Sequence, residues 1–217
     1  MRGRRAHRLP ARAAVASCAA LLALAATTIG CGSREPTTSL KGFTRTPVPH
    51  VGGLSLPDVA AAGAPMRLRA ARGRLLLLYF GYTSCPDVCP TTFADVGAAL
   101  AQLPADRRKA VTVALVTVDP ARDTPQVLGR YMNHFFSDWH ALRTTDRRAL
   151  RTVERAFGAS HKAERARADG TYAVSHTALL YAIDEHGAVR VEWPFGTTAA
   201  DIAADLRTLT AGLRDTT

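Results

Sequence analysis

Two cysteines four positions apart, Cys85 and Cys89, sit in the run Gly81-Tyr82-Thr83-Ser84-Cys85-Pro86-Asp87-Val88-Cys89-Pro90 of this 217-residue chain. Thiols at that spacing can form a disulfide, exchange with other thiols, or hold a soft metal ion. A structural disulfide is the weakest of the three readings, because so small a loop constrains little of the unfolded chain. The spacing favours redox exchange or metal binding. Three intervening residues, Pro86, Asp87 and Val88, are one more than thioredoxins place between their cysteines, and the wider gap lets both sulfurs converge on one ion.

The elements that must position these thiols follow from the apolar pattern. Short continuous apolar runs alternate with longer segments of helical period, which predicts an α/β domain with a largely parallel sheet. A buried strand is expected over 75–80, then the cysteine loop, with Cys89 at or near the first turn of a helix over 91–103, where free backbone N–H groups favour a thiolate. That helix carries Phe93, Val96, Leu100 and Leu103 at helical spacing. A second core strand is expected over 111–118. Thr124 as N-cap and Pro125 as first residue open a helix to about residue 136. A further helix covers 147–157, strands over 177–184 and 189–193 join through a His186-Gly187 turn, and a helix over 199–213 closes the chain. This is the order of a thioredoxin fold, a central mixed sheet flanked by helices, with the segment between the second strand and His176 as an insertion.

Thioredoxin folds place a cis-proline directly before the strand that faces the cysteines. Here the corresponding stretch is His176-Thr177-Ala178-Leu179-Leu180, and no proline occurs between Pro125 and Pro194. His176 therefore takes the position that touches the two sulfurs and is the candidate third ligand. Two thiolates and an imidazole suit copper, as Cu(I) in a trigonal site or Cu(II) with a further ligand, better than hard cations. Zinc with the same three residues and a water is chemically possible.

The segments Tyr79 to Pro90, Val118-Asp119-Pro120-Ala121-Arg122-Asp123-Thr124-Pro125 and Val174-Ser175-His176-Thr177 resemble the Sco/SenC family, over roughly residues 45–213. The resemblance implies a membrane-anchored protein holding one copper ion through Cys85, Cys89 and His176 and helping to assemble the dinuclear copper site of cytochrome c oxidase. It implies as partners the copper-bearing oxidase subunit and other copper chaperones or thiol donors. Ser175 departs from the family, many of whose members have Asp there, and the 161–170 loop is basic where relatives are often acidic. The alternative function is a thiol-disulfide reductase, with Cys85 and Cys89 as the exchanging pair, that keeps the oxidase copper-site cysteines reduced. A peroxidase reading rests on Val88-Cys89-Pro90-Thr91, but peroxidatic loops carry Thr three residues before the cysteine, where this chain has Pro86. Asp119, Arg122 and Asp123 fit turn and capping chemistry, orientation of the cysteine loop, or docking of a partner. His50, His134, His140, His161 and His186 are expected at the surface or in packing, as are Trp139 and Trp193.

Residues 1–30 have the parts of a lipoprotein signal peptide: an arginine-rich start, an apolar run from 13 to 29 too short for a confident membrane span, and small residues before a cysteine. Gly30-Cys31 marks Cys31 for lipidation, although Thr28 stands where an aliphatic residue is usual. Cys18 is a rival site with a shorter apolar run before it. Residues 31–50, rich in Ser, Thr, Pro and Gly, are expected as a lipid-anchored flexible tether, and 51–217 as the thioredoxin-like domain. That organisation puts the domain outside the cytoplasm, on the outer face of a bacterial membrane. The formal charge of +10 loses five units with Arg2, Arg4, Arg5, Arg8 and Arg12 of the leader. The remaining +5 lies in scattered arginines without aromatic interleaving, which argues against nucleic acid as a partner and for a basic surface near anionic lipid.

Overall fold

The computed structural model describes residues 39–213, so the leader, Cys18, and Cys31 with its expected lipid lie outside it. In chain order the elements are β1 (Ser55–Asp58), β2 (Ala64–Arg67), β3 (Leu75–Gly81), α1 (Val88–Ala101), α2 (Ala105–Lys109), β4 (Val111–Thr117) and α3 (Pro125–Phe135). They continue with β5 (Trp139–Leu142), α4 (Arg147–Phe157), β6 (His161–Ala163), β7 (Val174–His176), β8 (Leu179–Ile183), β9 (Val189–Pro194) and α5 (Ala199–Gly212).

The main sheet runs β2-β1-β5-β4-β3-β8-β9. Its centre is parallel: β3 pairs β4 from Leu75↔Val111 to Gly81↔Thr117, and β4 pairs β5. The antiparallel pair β8 and β9 completes one side. Every residue of β3 and β4 is buried, which is why both read as continuous apolar runs: helices cover both faces. Burying each large side chain of this core, such as Phe80, Phe93 or Leu77, contributes about 1.5–3 kcal/mol. The arrangement is the mixed, helix-flanked sheet of the thioredoxin fold. Among the described residues no helix is long and apolar enough to cross a membrane.

The structure departs from the sequence reading in four places. The segment read wholly as an insertion supplies β5 to the main sheet, where Val113 to Val116 of β4 pair Trp139 to Leu142. A second, two-stranded sheet of β6 and β7 lies where a loop was expected, and His176 ends β7 rather than preceding a long strand. β1 and β2 were not foreseen; Pro57 and Pro65 face each other in their register, and proline weakens the strand signal. Finally, the part of the expected tether within the described residues is held on the domain. Phe43 exchanges backbone hydrogen bonds with Glu192, Val51 N–H donates to the Gly187 carbonyl, and His50 bridges Ala188.

The buried carboxylate of Asp205 on α5 fastens that N-terminal segment. It accepts the backbone N–H groups of Lys41 (2.8 Å) and Gly42 (2.9 Å) and the Trp193 indole N–H (2.8 Å). Asp205→Ala leaves all three donors without this acceptor, and is expected to lower unfolding free energy by about 3 kcal/mol in urea denaturation. Hydrogen exchange at Phe43 N–H should accelerate in the same variant.

Candidate metal centre

The site forms where the C-terminal end of β3 meets the start of α1 and the end of β7. At the end of β3 the chain turns through Tyr82 to Cys85, closed by a hydrogen bond from Cys85 N–H to the Tyr82 carbonyl (3.2 Å). α1 then begins at Val88, with Asp87 in the N-cap position but making no capping hydrogen bond. The Cys85 sulfur takes that role instead, accepting the Cys89 N–H at 3.4 Å. A helix start leaves its first amides unpaired, so the loop supplies a sulfur where a capping oxygen would ordinarily sit.

Cys89 is buried and Cys85 half-buried, and both are free thiols. Close packing at Gly81 makes room for the Cys89 sulfur: a Cβ added there would lie 2.9 Å from Cys89 Sγ and 3.0 Å from the Tyr79 ring. The His176 Nε2 atom lies 3.4 Å from Cys89 Sγ. The other ring nitrogen, Nδ1, is 3.2 Å from the Thr177 carbonyl, an acceptor, so Nδ1 carries the hydrogen and Nε2 presents its lone pair to the sulfurs. Tyr79 and Tyr82 set the ring edge-on from two sides, each with centroids at 5.8 Å. The three candidate donor atoms, Cys85 Sγ, Cys89 Sγ and a ring nitrogen of His176, all lie within 4.8 Å of one another. Soft donors that close, with one ring nitrogen already fixed, need small movements to meet at bonds of about 2.0–2.3 Å. Among the described residues no other group of three His, Cys, Asp or Glu side chains comes together in this way.

The two thiols are unequal. The Cys89 S–H, followed by backbone N–H groups at the helix start, stabilises the Cys85 thiolate and lowers its pKa to about 3 against the opposing effect of burial. Cys89 is pushed up, first because it is the donor in that pair and then by burial. Cys85 is the half-buried, solvent-reachable nucleophile and Cys89 the protected partner.

The residues Asp119, Arg122 and Asp123, for which sequence reading left several roles open, brace the site. Asp123 is wholly buried and accepts the Thr83 hydroxyl and N–H from the cysteine loop and the Thr117 hydroxyl from the end of β4. Burial pushes its carboxyl upward, opposed by those hydrogen bonds. Asp119 accepts from Arg122 and from the Tyr172 hydroxyl (2.8 Å), and the Arg122 guanidinium lies 3.8 Å above the Tyr172 ring. Tyr172 leads into β7, which carries His176, so one short motif ties the cysteine loop on one side and the histidine strand on the other. Sequence reasoning did not single out Gly81, Tyr79, Tyr82, Thr83 or Tyr172; a glycine closing a buried strand just before two cysteines was the available signal. Of the other described histidines, His161 lies opposite His176 in the β6–β7 ladder but bonds Glu154, and the rest lie elsewhere: His140 on Asp58, His186 beside Glu185, His134 against Phe135 and His50 against Ala188.

The family model described as SCO1/SenC matches residues 57–211. The chain belongs to the SCO1/SenC family. A Stutzerimonas stutzeri protein named for copper binding is 35% identical over 126 residues, 58% of this chain and 61% of the other. The structure of Bradyrhizobium japonicum ScoI with copper bound is 30% identical, with a TM-score of 0.61 over 71% of this chain and 96% of that one. The apo Sco1 protein from Thermus thermophilus is also 30% identical, with a TM-score of 0.64 over 82% and 98%. The chain spans about three fifths of the length of the curated relatives it matches.

Two outcomes test this geometry. In the reduced, metal-free chain, iodoacetamide should label Cys85 at a rate that stays flat between about pH 5 and 8, because a thiol held near 3 is already ionised across that range. Cys89 should stay unlabelled; peptide mapping reads both. Gly81→Ala should cost about 1–3 kcal/mol from overpacking and make Cys89 the first side chain to move, seen as loss of its protection in the same labelling.

Proposed function

We propose that this chain binds one copper ion through Cys85, Cys89 and His176 and passes it to, or matures, the dinuclear copper site of cytochrome c oxidase. The observation that carries the reading is the close approach of two thiol sulfurs and a lone-pair imidazole nitrogen. That donor set favours a soft ion, and the similar ScoI of Bradyrhizobium japonicum is known with copper bound.

The inequality of the thiols gives transfer a direction. Cys85 is reachable from solvent whereas Cys89 and the imidazole are held by packing, so an incoming cysteine from the oxidase subunit displaces Cys85 first. Successive ligand exchange then moves the ion without releasing it to water. A lipid on Cys31 would confine this search to the outer face of the membrane, raising the effective concentration of the oxidase subunit. Oxidation of Cys85 and Cys89 to a disulfide removes both sulfur ligands, so another copper chaperone or a thiol donor must keep the pair loaded or reduced.

A second reading is favoured by the same asymmetry: a half-buried, low-pKa thiol above a fully buried one is the arrangement of a thiol-disulfide reductase. On that reading Cys85 attacks a disulfide in the oxidase copper site and Cys89 resolves the mixed disulfide, leaving the chain oxidised and the target reduced.

Copper titration of the reduced full-length chain, beside Cys85→Ser, Cys89→Ser and His176→Ala, separates the two. One equivalent should bind, with thiolate-to-copper absorption, and each variant should weaken binding about a hundredfold or more. His176→Ala should keep dithiol exchange within about threefold of the parent rate. Stoichiometric binding that survives His176→Ala while exchange collapses would assign the histidine to redox chemistry and overturn its role as the third ligand, whereas no binding beside fast exchange would make the chain a reductase.

A further inference from the structure

The pole of the sheet away from the metal centre carries a cationic cleft that the copper chemistry does not use. The run Met66 to Arg74 contains Arg67, Arg69, Arg72 and Arg74 and no acidic residue. Leu68 and Ala70 alternate with the first two arginines and are buried, which turns Arg67 and Arg69 outward. Gly73, with φ of +68°, makes the tight turn that brings Arg72 and Arg74 to the same place. All four arginines line a cavity of about 530 Å³ together with His140 and His186. The cavity lies at the start of β3, and the metal centre at its end, about 20 Å away along the strand.

Positive charge here is poorly neutralised. Among the described residues no carboxylate pairs with Arg67, Arg69 or Arg72. Arg74 reaches Asp138 with one Nη at 3.1 Å, while its Nε is buried without a hydrogen-bond partner. His140 gives Nδ1 to the buried Asp58 at 2.7 Å, leaving Nε2 without a partner. Glu185 is the one acidic residue lining the cleft, and it is engaged by the Gly73 N–H and by His186. Guanidinium forks gathered in a concave site focus positive potential and match the geometry of phosphoryl oxygens.

We propose that this cleft binds a phosphoryl anion, held by Arg67, Arg69, Arg72 and Arg74. Two sources carry that group: a free phosphate compound, or the headgroup of an anionic phospholipid. The cleft acts independently of the metal centre, so its occupancy neither needs nor alters the cysteine pair.

The test is calorimetric titration of the full-length chain with inorganic pyrophosphate and, separately, with dihexanoyl phosphatidylglycerol kept below its micelle concentration. At least one probe should saturate at one equivalent. Arg67→Gln/Arg69→Gln and Arg72→Gln/Arg74→Gln should each weaken it about tenfold or more, with Cys85 labelling unchanged as proof that the fold is intact. The control Arg147→Gln/Arg151→Gln, which removes two exposed arginines from α4, should bind as the parent does. Tighter binding of pyrophosphate identifies the free anion as the source, and tighter binding of the lipid identifies the headgroup. The proposal is overturned if neither probe saturates, if the cleft variants bind unchanged, or if the control loses as much as they do.

Discussion

The buried carboxylate of Asp123 is the point on which the metal centre depends. The parallel pair β3 and β4 ends in two threonine-bearing turns, and this one side chain accepts from Thr117 on one and Thr83 on the other. A carboxylate with no exposed surface is costly to bury unless its oxygens are satisfied. Here they are satisfied by the groups that fix the cysteine loop over the sheet, so the burial cost and the loop geometry are one constraint. Asp119 and Arg122, earlier in the same turn, extend the constraint to Tyr172 and through it to the strand of His176.

The β3 and β4 runs were legible in the sequence because both of their faces are covered and the apolar pattern is continuous. The helix α3 was legible from its N-cap, Thr124, whose hydroxyl accepts from Val127 N–H as capping predicts; α5 was read without a cap, and the structure supplies Thr198, whose hydroxyl accepts from Asp201 N–H. What escaped were strands whose identity comes from partners distant in sequence. β5 is four residues long and becomes a strand through its parallel ladder with β4; nothing within Trp139 to Leu142 announces it. The hairpin of β6 and β7 is three residues wide on each side, with polar residues that alternate weakly.

At the site, residue types and spacing bring Cys85, Cys89 and His176 together in the sequence alone, through the empty place of a proline rather than through any local signal around the histidine. The inequality of the thiols could not be read that way. It arises first from the hydrogen bond between the two sulfurs and then from depth, since one sulfur lies under Gly81 and the other caps a helix, and both follow from the assembled sheet. For Asp123 the sequence left turn chemistry, orientation of the cysteine loop and partner docking side by side, and the contact with Thr83, forty residues earlier, selects the loop.

The strand of residues around Phe43 lies along β9, the last strand of the main sheet. A sheet edge offers unpaired N–H and C=O groups to any chain that approaches, and Glu192 would present both of its own were Phe43 not there to take them. A shortened form of the protein that began after this segment would keep Cys85, Cys89 and His176 but expose a free strand edge beside the indole of Trp193. Such a form would be prone to pair edge to edge with its own copies, so the first residues on the domain act as a guard against self-association.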